Sequence, residues 1–546
     1  MTADLHVSIF ALVPRLARET DPTILRQAVT LLEQHNETLA KQVARLEREL
    51  AEAKGATPEE LQRRLALLEG QLAKMQKKIF GTSSERSTLD TKDRAQPEEP
   101  KPRTGHGPTE QRELLTVPVV HDLDDADKVC TQCGGALEEM DGQFEEHTEV
   151  DVIPCRFVLK HHRRKKYRCS CGACIETALG PDKLIAGGRY SVGFAIHVAI
   201  SKYCDHLPLE RQVRMMRREG LTISSQTLWD QIEALERVLR PVRGRLLAHV
   251  LGHAVVGADE TRWRMLDGSS KTWYVWLLHV STAVYYTIED SRSKDVIAKL
   301  LGAFSGTLMC DGYAAYTALA KERAGRVVLA HCWSHVRRAF VEIEHAFPAE
   351  CGEVIALINE LFTLDATCET GPPGDEARRV IRDESSRRVI EDIVAWFWKT
   401  APFVLPGSGL HNAIGYMVGT WKGLVLFLDD PTIPLDNNGS ERAARGPVLG
   451  RKNHYGSKSL RGTQVAATFY SLVESAKLCG LEPRFYLRVA TSAGLRGEQI
   501  PLPHEVAASL ADGSLDPGAF EDDTEQLVAA ALAPATDGAP AASAPQ

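Results

Sequence analysis

No stretch of the 546-residue sequence approaches the ~18 consecutive apolar residues of a membrane-spanning helix. The opening residues, MTADLHVSIFALVPRLARETD, show no basic n-region and no small-residue cleavage site. These absences predict a cytoplasmic protein with no membrane partner. A spread-out disulfide framework is missing too. Of 12 cysteines, six crowd between Cys130 and Cys174 and the rest are scattered. Such clustering favours metal over disulfide. From Pro501 to Gln546 there are eight acids and neither Lys nor Arg. The formal net charge is −8, so this tail carries the whole excess and the remainder sums to zero. Acid, in turn, is absent from two basic stretches. "RFVLKHHRRKKYR" (156–168) has seven Lys/Arg, and Arg442–Val473 has six. The net charge argues against a nucleic-acid partner; the local basic patches argue for one, because phosphate contacts depend on local charge.

What is present is ordinary globular material, 43% hydrophobic and 25% charged. The length suggests about three to four domains, and the expected class is multidomain α+β. A heptad comes first. Val29, Asn36, Val43 and Leu50 share one position; Leu32, Leu39, Leu46 and Ala53 share another. "TPEE" restarts a helix after Gly55 with Thr57 as N-cap and Pro58 at N1. The spacing fits an oligomerising coiled coil or an intramolecular helical hairpin, over 1–93. Residues 94–109 read as a Pro/Gly-rich linker. A cysteine-rich domain is expected over 110–183 and a helical segment over 184–250. Within the latter, "LPLERQVRMMRREGLTISSQTLWDQIEALE" reads as helix, glycine turn, helix, capped at Ser224 or Ser225. It fits a DNA-binding helix-turn-helix or a plain packed hairpin. An α/β domain follows over 251–475, interrupted by helices at about 336–427. A helical segment (476–510) and a disordered acidic tail (511–546) complete the chain.

"CTQC" (130–133) and "CSCGAC" (169–174) have the spacing of a structural zinc ribbon. Zn2+ takes four thiolates, and Cys130, Cys133, Cys169, Cys171 and Cys174 offer five. The lone Cys155 is a bystander. The basic run between the groups, with Arg163, Arg164, Lys165 and Lys166, predicts a cationic strand that contacts DNA.

Three carboxylates stand out. "AVVGADET", "TWYVWLLHV" and "AVYYTIED" are strand-like, and Asp259 ends the first of them. "SKDVIAKLLGAF" is a helix. "GTLMCDGYAAY" is a fourth strand ending at Asp311, and "RVVLAHCW" is a fifth. Glu441 lies on a later helix in "PLDNNGSERAARG". Acids on strand 1, strand 4 and a late helix follow the logic of the ribonuclease H-like nucleotidyl-transfer fold, in which strands 1 and 4 are neighbours. Two Mg2+ ions held by such acids activate an attacking oxygen and stabilise a leaving oxygen. His335 can reach a scissile phosphate or be a structural histidine. Arg442 and Arg445, near Glu441, can hold phosphates or be solvated surface charge. Asn437 and Asn438 are expected to cap the Glu441 helix. Lys452, Lys458 and Arg461 are candidates to line a DNA path. Trp263, Trp273 and Trp276 are expected in the core.

In this order, "ADET", "CDGYAAY", "HCWSHVRRAF" and "LDNNGSERAAR" resemble the transposase of the insertion sequence 66 family. So do "KIFGTSSER", the zinc segment and "SKYCDHLPLERQ", and together they span roughly residues 25–490. The chain reads ERAAR where the family form is ERALR. The resemblance implies a DDE-type transposase with Asp259, Asp311 and Glu441 as its acidic triad, using Mg2+ or Mn2+, with a helical insertion before the Glu. It implies cleavage at transposon ends, strand transfer into target double-stranded DNA, and small accessory proteins of the same element. A homo-oligomer and nucleoid association are expected, with Arg338, Arg451 and Lys452 among the DNA contacts. The alternatives are a catalytically inactive DNA-binding derivative and a structure-specific nuclease of the same fold.

Overall fold

A computed structural model describes residues 157–168, 175–268, 271–369 and 371–520. The expected coiled coil, the linker, and Cys130, Cys133, Cys169, Cys171 and Cys174 lie outside the described residues. By its internal contacts the chain divides into Gly81–Lys160 and the remainder. Only 157–160 of the first unit are described, and all that follows concerns the second.

Strands β1 (Lys166–Arg168) and β2 (Ile175–Thr177) form an antiparallel pair with Lys166 opposite Thr177. Four helices follow: α1 (Val192–Tyr203), α2 (Leu209–Arg218), α3 (Ser225–Leu239) and α4 (Val242–Leu251). The expected helix-turn-helix outline is there. Gly220 makes the turn with φ +85°, a conformation that favours glycine. Ser224 caps α3 by accepting from the Thr227 amide at 3.1 Å. The apolar stripe of α3, with Leu228, Ile232, Leu235 and Leu239, is fully buried, and α3 packs against α1 and α2.

The sheet comprises β3 (Val255–Trp263), β4 (Trp273–Val280), β5 (Ala283–Glu289), β6 (Gly306–Cys310) and β7 (Val327–His331). Its spatial order is β5-β4-β3-β6-β7. The first three strands are an antiparallel meander, and β6 and β7 run parallel to β3. Parallel neighbours need crossovers, and α5 (Lys294–Leu301) and α6 (Ala314–Glu322) provide them.

Both margins of the sheet are covered. At β5, helix α13 (Leu460–Leu478) lies alongside, and two buried serines one turn apart replace a neighbouring strand. The Ser471 hydroxyl accepts from the Tyr286 amide at 2.9 Å. Ser475 accepts from the Val284 amide at 2.9 Å and donates to the Val284 carbonyl at 3.1 Å. At β7, Gly423 of helix α11 (Gly409–Leu424) comes so close to the Leu329 carbonyl that a side chain there would overlap it.

The helices after β7 are α7 (Trp333–Val341), α8 (Pro348–Ala366), α9 (Asp375–Ile381), α10 (Arg387–Thr400) and α11 (Gly409–Leu424). They build a core of their own around Phe340, Ile358, Ile393 and Trp396, which merges with β6 and β7 at Met309 and Ala330. A π-helical turn, Arg382–Ser386, joins α9 to α10. It delivers Arg382, 1% exposed, into the interior. Its guanidinium donates to Asp365 Oδ1 at 2.7 Å and to the carbonyls of Phe427, Asp430 and Ile433 at 2.8, 3.0 and 3.1 Å. The segment leading to Glu441 is therefore tied to the inserted helices.

Helix α12 (Asn438–His454) then crosses the sheet against β3 and β4. The expected boundary at 475 falls inside α13. Helices α14 (Pro483–Leu495) and α15 (Pro503–Ala511) follow. The expected disorder from 511 does not begin there. A 3-10 turn at Pro517–Phe520 is held by Arg488, which donates to the Phe520 carbonyl at 3.1 Å, and by the Phe485 ring against Phe520. No helix among the described residues is long and apolar enough to cross a membrane.

Candidate active site

Strands β3 and β6 pair with Val255 opposite Thr307, Val256 opposite Leu308 and Gly257 opposite Met309. Carried two residues further, that register sets Asp259 beside Asp311. Opposite residues in a parallel pair share a face of the sheet, on strands ~4.8 Å apart. Between β6 and β7, Cys310 lies opposite His331, so the next row reaches Cys332. One correction follows. Asp259 does not end its strand, because β4 keeps pairing with β3 as far as Trp263. What ends is β6, at Cys310, leaving Asp259 where β3 loses its parallel neighbour.

The Asp259 carboxyl is pushed up to about 7. Burial is the main cause, offset in part by the Glu260 amide, which donates to Oδ1 at 2.8 Å. The carboxylates of Glu260, Asp311 and Glu441 push it further. Asp311 Oδ1 accepts from the Tyr313 amide at 3.0 Å. Behind this row, on the other face of β3, the Glu260 side chain is 1% exposed and bridges Arg292 and Tyr316 at 2.9 and 2.6 Å. The Arg292 guanidinium lies 3.8 Å from the centre of the Tyr313 ring. Glu260 thus braces the loop that carries Asp311.

Glu441 lies in the first turn of α12. The expected asparagine cap is corrected: Asn437 occupies the N-cap position but makes no side-chain cap. Its buried amide has a more demanding task, donating to the Ala258 carbonyl at 2.9 Å, while its own N–H donates to Cys332 Sγ at 3.2 Å. Asp436 does the capping, accepting from the Asn438 amide at 3.0 Å and from Ser334 at 3.3 Å. Close approach of α12 requires Gly257, since a side chain there would overlap the Ser440 hydroxyl.

His335, on the first turn of α7, brings Nε2 to 3.6 Å from Glu441 Oε1. Arg338, expected on DNA, instead has Nη2 3.5 Å from Glu441 Oε2. Glu441 Oε1 and His335 Nδ1 are buried atoms with no hydrogen-bond partner. Cys332, His335 and Glu441 each offer a ligand atom within 4.8 Å of the others. Burial pushes the Cys332 thiol up to about 11. It was missed in the sequence, although its place three residues before His335 puts it beside that residue's turn. Asp259 and Asp311 fall outside this group of ligand atoms, within electrostatic reach of Glu441; carboxylates suit a hard divalent cation better than a thiol does.

The basic candidates divide. Arg163, Arg164, Lys165 and Lys166 are exposed at β1, with Arg164 Nε donating to the Ala178 carbonyl at 2.5 Å. Arg442, Arg445 and Lys452 are exposed along α12. Arg451 turns back and donates to the Arg262 carbonyl on β3. Arg461 is a correction: it pairs with Glu233 at 2.9 Å and with the buried Glu236, which also accepts from Arg240 and Thr468. A charge buried in α3 needs these partners, so Arg461 is committed to the interior. Trp263 and Trp276 are buried as expected, whereas Trp273 is partly exposed.

The sequence model of the transposase IS66 family matches residues 187–465, which hold the whole sheet, the inserted helices and α12. The model of the zinc-finger binding domain of transposase IS66 matches 127–172. The chain belongs to the IS66 transposase family. It is 31% identical over 378 residues to the uncharacterized protein y4jD of Sinorhizobium fredii (strain NBRC 101917 / NGR234), covering 66% of this chain and 73% of the relative. The uncharacterized y4qI of the same strain is also 31% identical, over 66% of this chain and 70% of its own length. For y4hP the identity is 27%, with 66% and 69% covered.

Proposed function

We propose that this chain is a DDE-type transposase that cuts DNA at transposon ends and joins the freed 3′-OH to a target duplex. The observation that carries this reading is the β3–β6 register, which brings Asp259 beside Asp311 where β3 loses its parallel partner, with Glu441 of α12 near enough to raise the Asp259 carboxyl. Strand order β5-β4-β3-β6-β7 supports a ribonuclease H-like catalytic domain with a helical insertion. Mg2+ or Mn2+ held by these three carboxylates would supply Lewis-acid activation and neutralise charge during in-line phosphoryl transfer.

The protein's own part is positional. Asp259 is held by the next amide along β3, and Asp311 by an amide of its own loop. Asp436, Asn437 and Arg382 deliver Glu441 to them from the far side of the insertion. His335 and Arg338 flank Glu441, donors suited to a phosphate oxygen. Arg442, Arg445 and Lys452 extend positive charge away from the site along α12. Zn2+, held by four of Cys130, Cys133, Cys169, Cys171 and Cys174, would fold the cysteine-rich segment and present the basic strand between its two cysteine groups to DNA. Homo-oligomers and accessory proteins of the same element complete the reading.

The test is cleavage of a duplex bearing the element's terminal repeat, with Mg2+ and without it. Metal-dependent nicking at the repeat boundary supports the proposal. End binding with no nicking under any divalent metal would leave only a DNA-binding protein.

A further inference from the structure

Cys332, His335 and Glu441 form a cluster of mixed donors beside the two aspartates. Cys332 is fully buried at the N-cap of α7, and His335 stands three residues on, in the first turn. Glu441 comes from the first turn of α12. One ligand atom of each lies within 4.8 Å of the other two. Two ligands on a tetrahedral zinc ion, with bonds of about 2.1 Å, sit about 3.4 Å apart. The 3.6 Å between His335 Nε2 and Glu441 Oε1 is too long for a hydrogen bond and close to that separation.

The surroundings suit a metal-bound sulfur. Cys332 Sγ accepts from the Asn437 amide at 3.2 Å, and the His335 amide also donates to it. Backbone N–H groups aimed at a sulfur favour its charged form. Arg338 lies 3.5 Å from the other Glu441 oxygen, Oε2. Oε1 therefore faces the cluster, where it has no hydrogen-bond partner. A thiolate, a carboxylate and a neutral imidazole together match the charge of one divalent cation. Hard and soft donors are sorted across the site. Asp259 and Asp311 offer only oxygen, which suits Mg2+. Sulfur with imidazole suits Zn2+ instead.

We infer that Cys332, His335 and Glu441 form a second metal site, one that takes Zn2+ or a cation of similar softness and draws Glu441 away from the two aspartates. As the Zn–S bond forms, the thiol proton leaves to solvent. Three protein ligands leave a fourth position for water. Binding at this site is independent of the transposase reading. Its consequence, inhibition of Mg2+-dependent cleavage by Zn2+, rests on that reading.

The full-length chain, its cysteine-rich segment loaded with Zn2+, is titrated with Co2+. Zinc outcompetes cobalt for thiolates, so the loaded segment stays colourless. One equivalent of Co2+ is expected to bring a thiolate-to-cobalt charge-transfer band, which further Zn2+ bleaches. The band should be lost in Cys332→Ser and reduced in His335→Ala and Glu441→Gln. Serine is itself a favoured N-cap, so Cys332→Ser keeps the start of α7. A band that survives in Cys332→Ser, or Co2+ uptake with no such band, overturns the site. Because one carboxylate cannot serve both ions, saturating Mg2+ should raise the Co2+ needed for half the band about tenfold in wild type, and not in Glu441→Gln. A midpoint indifferent to Mg2+ overturns the sharing of Glu441. Wild-type chain that cuts no element end in Mg2+ would defeat the transposase reading and leave the cobalt result standing.

Discussion

His335 and Glu441 face each other across 3.6 Å, one from the helix after β7 and the other from the helix that follows the insertion. That gap exceeds a hydrogen bond, and the Glu441 oxygen facing it has no other partner. Asp259 feels both Glu441 and Asp311. The site thus draws its carboxylates from three separate parts of the fold.

Asp259→Asn, Asp311→Asn and Glu441→Gln each remove one of those carboxylates while keeping shape. Each is expected to lower end cleavage about a thousandfold or more, as several kcal/mol of charge stabilisation are lost. Gel-shift binding to the same end should survive. Normal cleavage by any one variant removes that residue from the triad.

Asp259 gives a pH signature in the absence of divalent metal. Its ordinary value is 3.8 and its folded value about 7, so between these limits the folded chain binds more protons than the unfolded one. Stability should fall as pH rises through that window and level off above it. Asp259→Asn should flatten the profile. Added Mg2+ should raise Tm more at pH 8, where it meets an ionised carboxylate, than at pH 5, where it must displace a proton. Melting curves across this range with and without Mg2+ decide the matter; a Tm that climbs with pH from 4 to 7 in wild type alone would contradict it.

Arg461→Ala leaves Glu236, whose side chain is 1% exposed, with only Arg240 and Thr468. Burial alone would raise that carboxyl; hydrogen bonds from Arg240 and Arg461 hold it below its usual range. Breaking part of a buried pair should cost about 3 kcal/mol, visible by denaturant unfolding. The salt dependence of DNA binding should not change, which separates this residue from Lys452.

Ser471→Ala orphans the Tyr286 amide on a buried strand. An unsatisfied buried donor costs about 1–3 kcal/mol, so Tm should drop by several degrees. Ser471→Thr, which keeps the hydroxyl, is the control.

The two aspartates stood out in the sequence because each follows an apolar run, although β3 continues past Asp259 to Trp263, and Glu441 stood out only through the order of motifs shared with the family. The order of the five strands was legible from the change in period after Ala254. What the sequence hid were contacts between distant segments. Nothing local marks Asn437 as a bridge between Ala258 and Cys332, and nothing separates Arg461, bound to α3, from the free Lys452. Arg382 likewise looks like any helical arginine until the chain folds its carbonyl partners around it. Glu260 and Asp259 adjoin in sequence, yet the alternation of the strand sends one to brace a loop and the other to the carboxylate row.

Ser471 and Ser475 occupy the outward amides of Tyr286 and Val284 on β5, and α11 packs against β7. A strand from elsewhere could pair with that part of β5 only by displacing the two serines. The disturbance would then fall two strands away from β3, which carries Asp259.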